Sequence, residues 1–370
     1  MKSNQSVWQQ PDWPQLTWDS EALLFPLGVC RKLQGRLLHA VGSFGFDVET
    51  SVQAELFTEE ILKTSAIEGE SLDTRSVRSS VARKLGLPAA GLPIDQRIDN
   101  LMSLLLDATQ NHAAPLTPER LWGWQASLFP TGYSGLYKIQ VDGWRKSPAD
   151  MQVVSGPIGR EKIHYIAPPA DRVPGEMKDF LLWWKEKQGD LEGIVRAALA
   201  HFWFVAIHPF DDGNGRIARA LTDMALAQDD GQRIRYYSLS AQIMAERDDY
   251  YGILERTAKG SGNVTDWLLW FLGCFSRAVE RSEVILAEVA VKARFWQQHL
   301  QTPLTGRQRK VINRILDEPG GFEGKLTTRK YASIAKVSTA TAYRELDHLH
   351  QLGVLKRTGK GRSAGYELIV

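Results

Sequence analysis

Twelve consecutive residues, His208-Pro209-Phe210-Asp211-Asp212-Gly213-Asn214-Gly215-Arg216-Ile217-Ala218-Arg219, hold an imidazole, carboxylates, two glycines and two guanidinium groups. Each of these has a use in phosphate chemistry. A neutral imidazole, with an ordinary pKa near ~6.5, takes up a proton at cellular pH. Gly213 and Gly215 tolerate positive φ and let a ligand approach the backbone closely. The peptide N–H groups around Asn214 and Gly215 form an anion site if they open a helix. Arg216 and Arg219 lie three apart, so both guanidinium groups project from the first turns of that helix. Asp212 is a hard oxygen ligand, as a magnesium ion held partly by phosphates needs. Together they describe a nucleotide polyphosphate site with a base beside it. Singly they say less: D-G-N-G is a turn between helices, and a histidine before proline an ordered loop residue. Two arginines beside an apolar helix, however, need anionic partners that a bare turn does not supply.

The flanking residues say how such a loop is held. Leu199 to Ile207 reads as a buried helix and Arg216 to Ala227 resumes a helical pattern, so the chemistry sits in a tight helix–loop–helix junction. Upstream, Glu55 to Gly69 has apolar positions at helical spacing, with Gly69 as a stop signal. Thr64 and Glu68 are four apart on one face of it, a pairing that in most helices is simply solvated. Val153-Val154 and Ile163 to Ile166 are short β-prone runs around Gly156-Pro157, which predicts a hairpin. Asp249-Tyr250-Tyr251-Gly252 places two tyrosines on a helix, either to stack a base or to fill the core.

The segment 208–219 resembles the signature of the Fic family, H-x-F-x-[D/E]-G-N-G-R-x-x-R, at every defined position. The resemblance implies transfer of AMP from ATP to a hydroxyl side chain of a target protein. His208 would be the general base, Phe210 a buried anchor and Asp212 the residue holding Mg2+. Gly213, Asn214 and Gly215 would cradle the α- and β-phosphates, Arg216 would bind the β-phosphate and Arg219 the γ-phosphate. Doc-like kinases of the family carry Lys at the position of Gly215, so glycine here favours nucleotidyl transfer. The hairpin would be the flap that pairs with the target's backbone, with Val153, Val154 and Ser155 as its clamp. Tyr250 and Tyr251 match the segment lining the adenine pocket, although Ala258 stands where the family often has Asn. Thr64-x-x-x-Glu68-Gly69 is similar to the family's inhibitory motif. In that motif Glu68 would ion-pair with Arg219 and occupy the place of the γ-phosphate, from an N-terminal helix of the same chain. Some members remove AMP with the same glutamate, and Fic cores often form homodimers.

Length and composition bound the remainder. With 370 residues, 43% hydrophobic and 24% charged, the chain is expected to be globular with two to three domains. No apolar run reaches the ~18–20 residues of a membrane span and the polar N-terminus leads into no secretory core, so no membrane partner and a cytoplasmic location are expected. Cys30 and Cys274 provide neither a disulfide framework nor a metal spacing. The expected fold class is mainly α, in three parts. These are an N-terminal helical module (1–93) carrying the inhibitory helix, a helical core (94–290) with a β-hairpin flap, and a C-terminal domain (291–370). Residues 301–370 hold 13 Lys and Arg against 6 Asp and Glu, while the rest hold 32 against 37. Helices over Thr327–Lys336 and Ala340–Leu352, then strands at Val354–Arg357 and Gly365–Ile369, resemble a winged helix-turn-helix. In such a domain Thr339, Thr341, Tyr343 and Arg344 would face a DNA major groove, and Lys356, Arg357, Lys360 and Arg362 would meet phosphates. Protein contact is the other use of that fold. Two functions therefore compete: a self-inhibited adenylyltransferase, and a DNA-binding transcriptional regulator whose core only senses ATP.

Overall fold

The computed structural model describes residues 6–42, 46–87, 91–155, 162–317, 324–359 and 365–369. Among them are fourteen α-helices and three two-stranded antiparallel hairpins. The mainly helical class expected from the apolar periodicity is therefore what the chain adopts. It divides into two compact units, one of residues 1–43 and 49–282, the other of 44–48 and 283–370. The first unit takes in the N-terminal helices together with the core.

That first unit begins with α1 (Ser20–Gly42), α2 (Phe46–Ile67) and α3 (Thr74–Lys84). Next come α4 (Gln96–Gln110), α5 (Pro118–Leu128) and two hairpins, β1–β2 (Tyr133–Ser134, Tyr137–Lys138) and β3–β4 (Gln152–Ser155, Lys162–Ile166). After them run α6 (Val173–Glu186), α7 (Gly193–Ile207), α8 (Asn214–Asp230), α9 (Leu239–Ala245), α10 (Arg247–Ala258) and α11 (Thr265–Gln298), which from Glu283 on belongs to the second unit. Asp95, Thr117 before Pro118, and Ser238 each cap a helix, accepting a backbone N–H in the first turn of α4, α5 and α9. α7 and α8 form the central antiparallel pair, and nearly every residue of both is buried. Alanines at 218, 220, 225 and 227 let neighbours close on α8, where α4 also packs. At the far end of the pair, a Cβ on Gly193 would stand 2.0 Å from Asp229 Oδ1, so only glycine permits that approach.

The second unit adds α12 (Gly306–Leu316), α13 (Thr328–Ala335), α14 (Thr339–Gln351) and the hairpin β5 (Leu355–Thr358) with β6 (Gly365–Leu368). Leu326 bridges Tyr366 at the edge of that hairpin. Val311, Ile312, Tyr331, Leu346, Leu349, Val354 and Tyr366 belong to its own core. The elements follow the expected order, and Ser338 caps the helix that carries Tyr343 and Arg344. Lys360 and Arg362, read as the tip of the wing, lie outside the described residues, as do Gly156 and Pro157.

Candidate active site

The loop between α7 and α8 begins where α7 stops. His208 caps α7 in the left-handed region, φ 52°, which turns the chain out of the helix. Its Nδ1 lies 3.3 Å from the carbonyl of Val205. A carbonyl only accepts, so Nδ1 carries the proton and Nε2 carries the lone pair. Burial pushes the His208 pKa down to about 4, with the Val205 hydrogen bond opposing and the Arg145 charge adding to the fall. The imidazole is therefore neutral across the physiological range.

The loop itself is held by its own side chains. Phe210 is fully buried against Trp144 and Phe204, the anchor expected of it. Asn214 opens α8 and turns its amide back onto the loop, accepting from Phe210 N at 3.0 Å and donating to Phe210 O at 2.8 Å. Its side chain thus closes the loop on Phe210. Asp211 accepts from Gln140 N at 2.8 Å. Gly213 has φ 89°, and a Cβ there would meet Phe129 Cε2 at 3.0 Å, so both conformation and space require glycine.

Arg145 has no place in the motif, yet it clamps the loop. Its Nε donates to His208 O at 2.8 Å, its Nη2 to Pro168 O, and its backbone N–H to Pro209 O at 3.0 Å. Pro168 follows β4, so one buried guanidinium ties the loop to the foot of the β3–β4 hairpin. That hairpin pairs Gln152 with Ile166, Val153 with Tyr165, Val154 with Ile163 and Ser155 with Lys162, and bulges between Val153 and Val154. The N-terminal segment reaches the same foot. Ser6 Oγ and Trp8 Nε1 both donate to Ile166 O, at 3.0 and 2.8 Å.

The two arginines of α8 are both buried and both matched to acids from the end of α2. Arg219, 2% exposed, donates through Nε to Thr64 Oγ1 at 2.7 Å and through Nη2 to Thr64 O at 3.0 Å and Glu68 Oε1 at 2.8 Å. Burial opposes its charge, and the Glu68 carboxylate more than restores it, so its pKa stands raised. Arg216 donates through Nη1 to Glu70 Oε1 at 3.0 Å and lies over the Phe129 ring. Glu70 carries no motif and had no sign in the spacing. Gly69, at φ 83°, is the left-handed residue between the two acids. A Cβ on Gly215 would stand 2.2 Å from Glu68 Oε1. The Glu68 carboxylate thus fills a cradle at the start of α8 that glycine keeps open, where a phosphate oxygen has the same chemistry.

Asp212 is half exposed, with Oδ2 accepting from Ser134 Oγ of β1 and Oδ1 3.9 Å from Arg216 Nη2. Among the described residues no cluster of three or more His, Cys, Asp or Glu could hold a metal by itself. A single carboxylate beside an anion cradle fits Mg2+, which takes one or two protein oxygens and the rest from phosphates and water. The two tyrosines differ. Tyr250 is 2% exposed, packed against the stacked Trp267 and Trp270, with its hydroxyl 2.9 Å from His201 Nε2. Tyr251 is partly exposed, its ring under Arg247 and its hydroxyl donating to Ile67 O at the end of α2.

The chain thus combines a mainly helical fold with a histidine-led loop, two helix-borne arginines and an adjacent hairpin. Residues 115–226 match the Fic/DOC family, and residues 7–87 match a domain of unknown function (DUF4172). The chain is 21% identical over 234 residues to the protein adenylyltransferase Fic of Nematostella vectensis, covering 61% of this chain and 48% of that protein. It is 24% identical over 233 residues to the protein adenylyltransferase Fic of Aedes aegypti, covering 62% and 42%. The match thus spans somewhat under half the length of these relatives. In fold it is similar to the crystal structure of a Fic family protein from Desulfovibrio desulfuricans G20, with TM-score 0.56, 20% identity and coverage of 96% and 98%. A Fic domain containing signaling protein from Bacteroides thetaiotaomicron gives 0.53 at 18% identity, covering 71% of this chain and 98% of that one. The chain carries a Fic/DOC-family domain, with relatives named protein adenylyltransferases.

Proposed function

We propose that this protein is a self-inhibited protein adenylyltransferase, transferring AMP from ATP to a hydroxyl side chain of a target protein. The observation that carries the reading is the junction of α7 and α8. A neutral imidazole with its lone pair on Nε2 stands in one loop with a glycine-lined cradle and two buried guanidinium groups. In the proposed reaction the target's hydroxyl oxygen attacks the α-phosphorus and gives its proton to His208 Nε2. The bond from the α-phosphorus to the bridging oxygen breaks, and pyrophosphate leaves. Val205 holds the imidazole in the tautomer that accepts a proton. The backbone N–H groups of Gly213 to Gly215 and the two arginines stabilise the charge passing to the leaving phosphates. Asp212 would hold Mg2+, which when bound neutralises phosphate charge. The β3–β4 hairpin, through Val153, Val154 and Ser155, would receive the target segment as an added strand.

Glu68 is the proposed inhibitor. Its carboxylate takes Arg219 and the space beside Gly215, so the terminal phosphate has neither partner nor room for the pose that in-line attack requires. Glu68→Gly should therefore raise AMP transfer at least about tenfold, read with labelled ATP on added lysate and on the protein itself. His208→Ala in that background should lower transfer by roughly 10²–10⁴ and leave ATP binding intact. Equal transfer in wild type and Glu68→Gly would refute the inhibitory role. ATP binding with no transfer even in Glu68→Gly would favour a nucleotide-sensing core that serves a regulator.

A further inference from the structure

We propose that Glu70 is a second, independent gate on this site, holding Arg216 against the β-phosphate as Glu68 holds Arg219. The inference rests on reading the junction as a nucleotide site, and concerns a residue outside the Thr64-x-x-x-Glu68-Gly69 pattern. Both acids come from one turn. Glu68 N and Glu70 N both donate to Ser65 O, at 3.1 and 3.0 Å, and Gly69 between them has φ 83°. That left-handed step sends the two carboxylates to the same α8 surface, two residues apart, where Arg216 and Arg219 stand three apart.

Arg216 has few alternatives. Its guanidinium lies 5.1 Å above the Phe129 ring and its side chain is only 7% exposed, while Asp212 Oδ1 is no closer than 3.9 Å. Its Nε is buried with no hydrogen-bond partner. The Nη1 bond to Glu70 Oε1 at 3.0 Å is thus the direct ionic contact of a desolvated cation. A phosphate that engages Arg216 competes with this carboxylate for the guanidinium and meets its negative charge. Glu70 is half exposed, so water can solvate it once released, which makes the gate lighter than the one at Glu68.

The two gates differ in which nucleotide they sense. Glu70 faces the arginine read as the β-phosphate ligand, so it opposes ADP and ATP and is indifferent to AMP, which has no β-phosphate. The test is calorimetric titration of AMP, ADP and ATP, each with magnesium, into full-length wild type, Glu70→Gln, Glu68→Gly and the double variant. Glutamine keeps the shape and removes the charge. The expected result is ADP and ATP binding about three- to tenfold tighter in Glu70→Gln, in both Glu68 backgrounds, with AMP unchanged within about twofold. A thermal melt within about 2 °C of wild type shows that the gain is not refolding. Unchanged ADP affinity in Glu70→Gln, in a protein whose Glu68→Gly variant binds ATP, overturns the second gate alone. Equal tightening of AMP overturns it too, since a general charge effect would then suffice. Failure of every variant to bind any nucleotide overturns the site reading beneath it.

Discussion

A histidine accepts a proton from a substrate only in the right tautomer and charge state, and at His208 two separate features fix these. The Val205 carbonyl sets the tautomer, and burial sets the charge. The neutral form exists above the folded pKa of about 4 and is lost only as pH falls through it. In Glu68→Gly, kcat/KM for transfer should therefore stay flat from about pH 8 to below pH 6, with its acid limb far under the ordinary histidine value. An acid limb near pH 6.5 would contradict the partly buried, carbonyl-anchored imidazole. The same burial has a cost elsewhere. His201, fully buried with its ring nitrogens on Thr222 Oγ1 and Tyr250 Oη, is pushed down to about 3. Below about pH 6.5 the unfolded chain binds a proton there and the folded chain does not, so stability falls by roughly 1.4 kcal/mol per pH unit from this group. Thermal melts from pH 7 to 5 should show the fall, and a properly folded His201→Gln protein should show less of it.

Between elements, the site depends on contacts that bring distant backbone together. Arg145 joins the carbonyls of His208 and Pro168, so one side chain ties the 208 loop to the foot of the β3–β4 hairpin. Arg145→Met leaves two buried carbonyls without this donor, at about 1–3 kcal/mol each. In the Glu68→Gly background it should lower turnover about ten- to a hundredfold while ATP affinity stays within about twofold. A parallel loss of ATP affinity would show that Arg145 shapes the cradle as well. This division also explains what was legible beforehand. The 208–219 segment could be read because its chemistry is local: a helix end, two glycines and arginines at helical spacing. Thr64 and Glu68 could be read as a face of one helix. Arg145 and Glu70 could not, since each acts across a long stretch of chain on a backbone or side-chain group that no spacing announces. Asn214 stood in the right place, and its side chain closes the loop on Phe210. Tyr250 fits both a stacking face and a core face by periodicity alone, and only the Trp267–Trp270 packing and the His201 bond distinguish them.

Across the whole molecule, charge is the property least visible in the totals. The net of +2 conceals a C-terminal segment, 301–370, that carries +7 against −5 for the rest. The second unit has an apolar core of its own. Part of that charge is already matched: Lys356 pairs with Glu367 at 3.5 Å and Arg357 with Asp347 at 3.5 Å. Arg329, Lys336, Tyr343 and Arg344 are exposed, the last two on the α14 helix. A basic surface with an exposed aromatic on a capped helix has the chemistry to meet a duplex backbone, which makes nucleic acid the first partner to try. The full-length protein should bind duplex DNA at about 50 mM salt, and affinity should fall about 10²-fold or more by about 200 mM as phosphate counterions are released. Arg344→Ala should weaken binding while AMP transfer by the Glu68→Gly form stays unchanged. If no complex forms even at the lower salt, the excess charge serves a protein surface instead, and recruitment of an acidic target becomes the use of this unit.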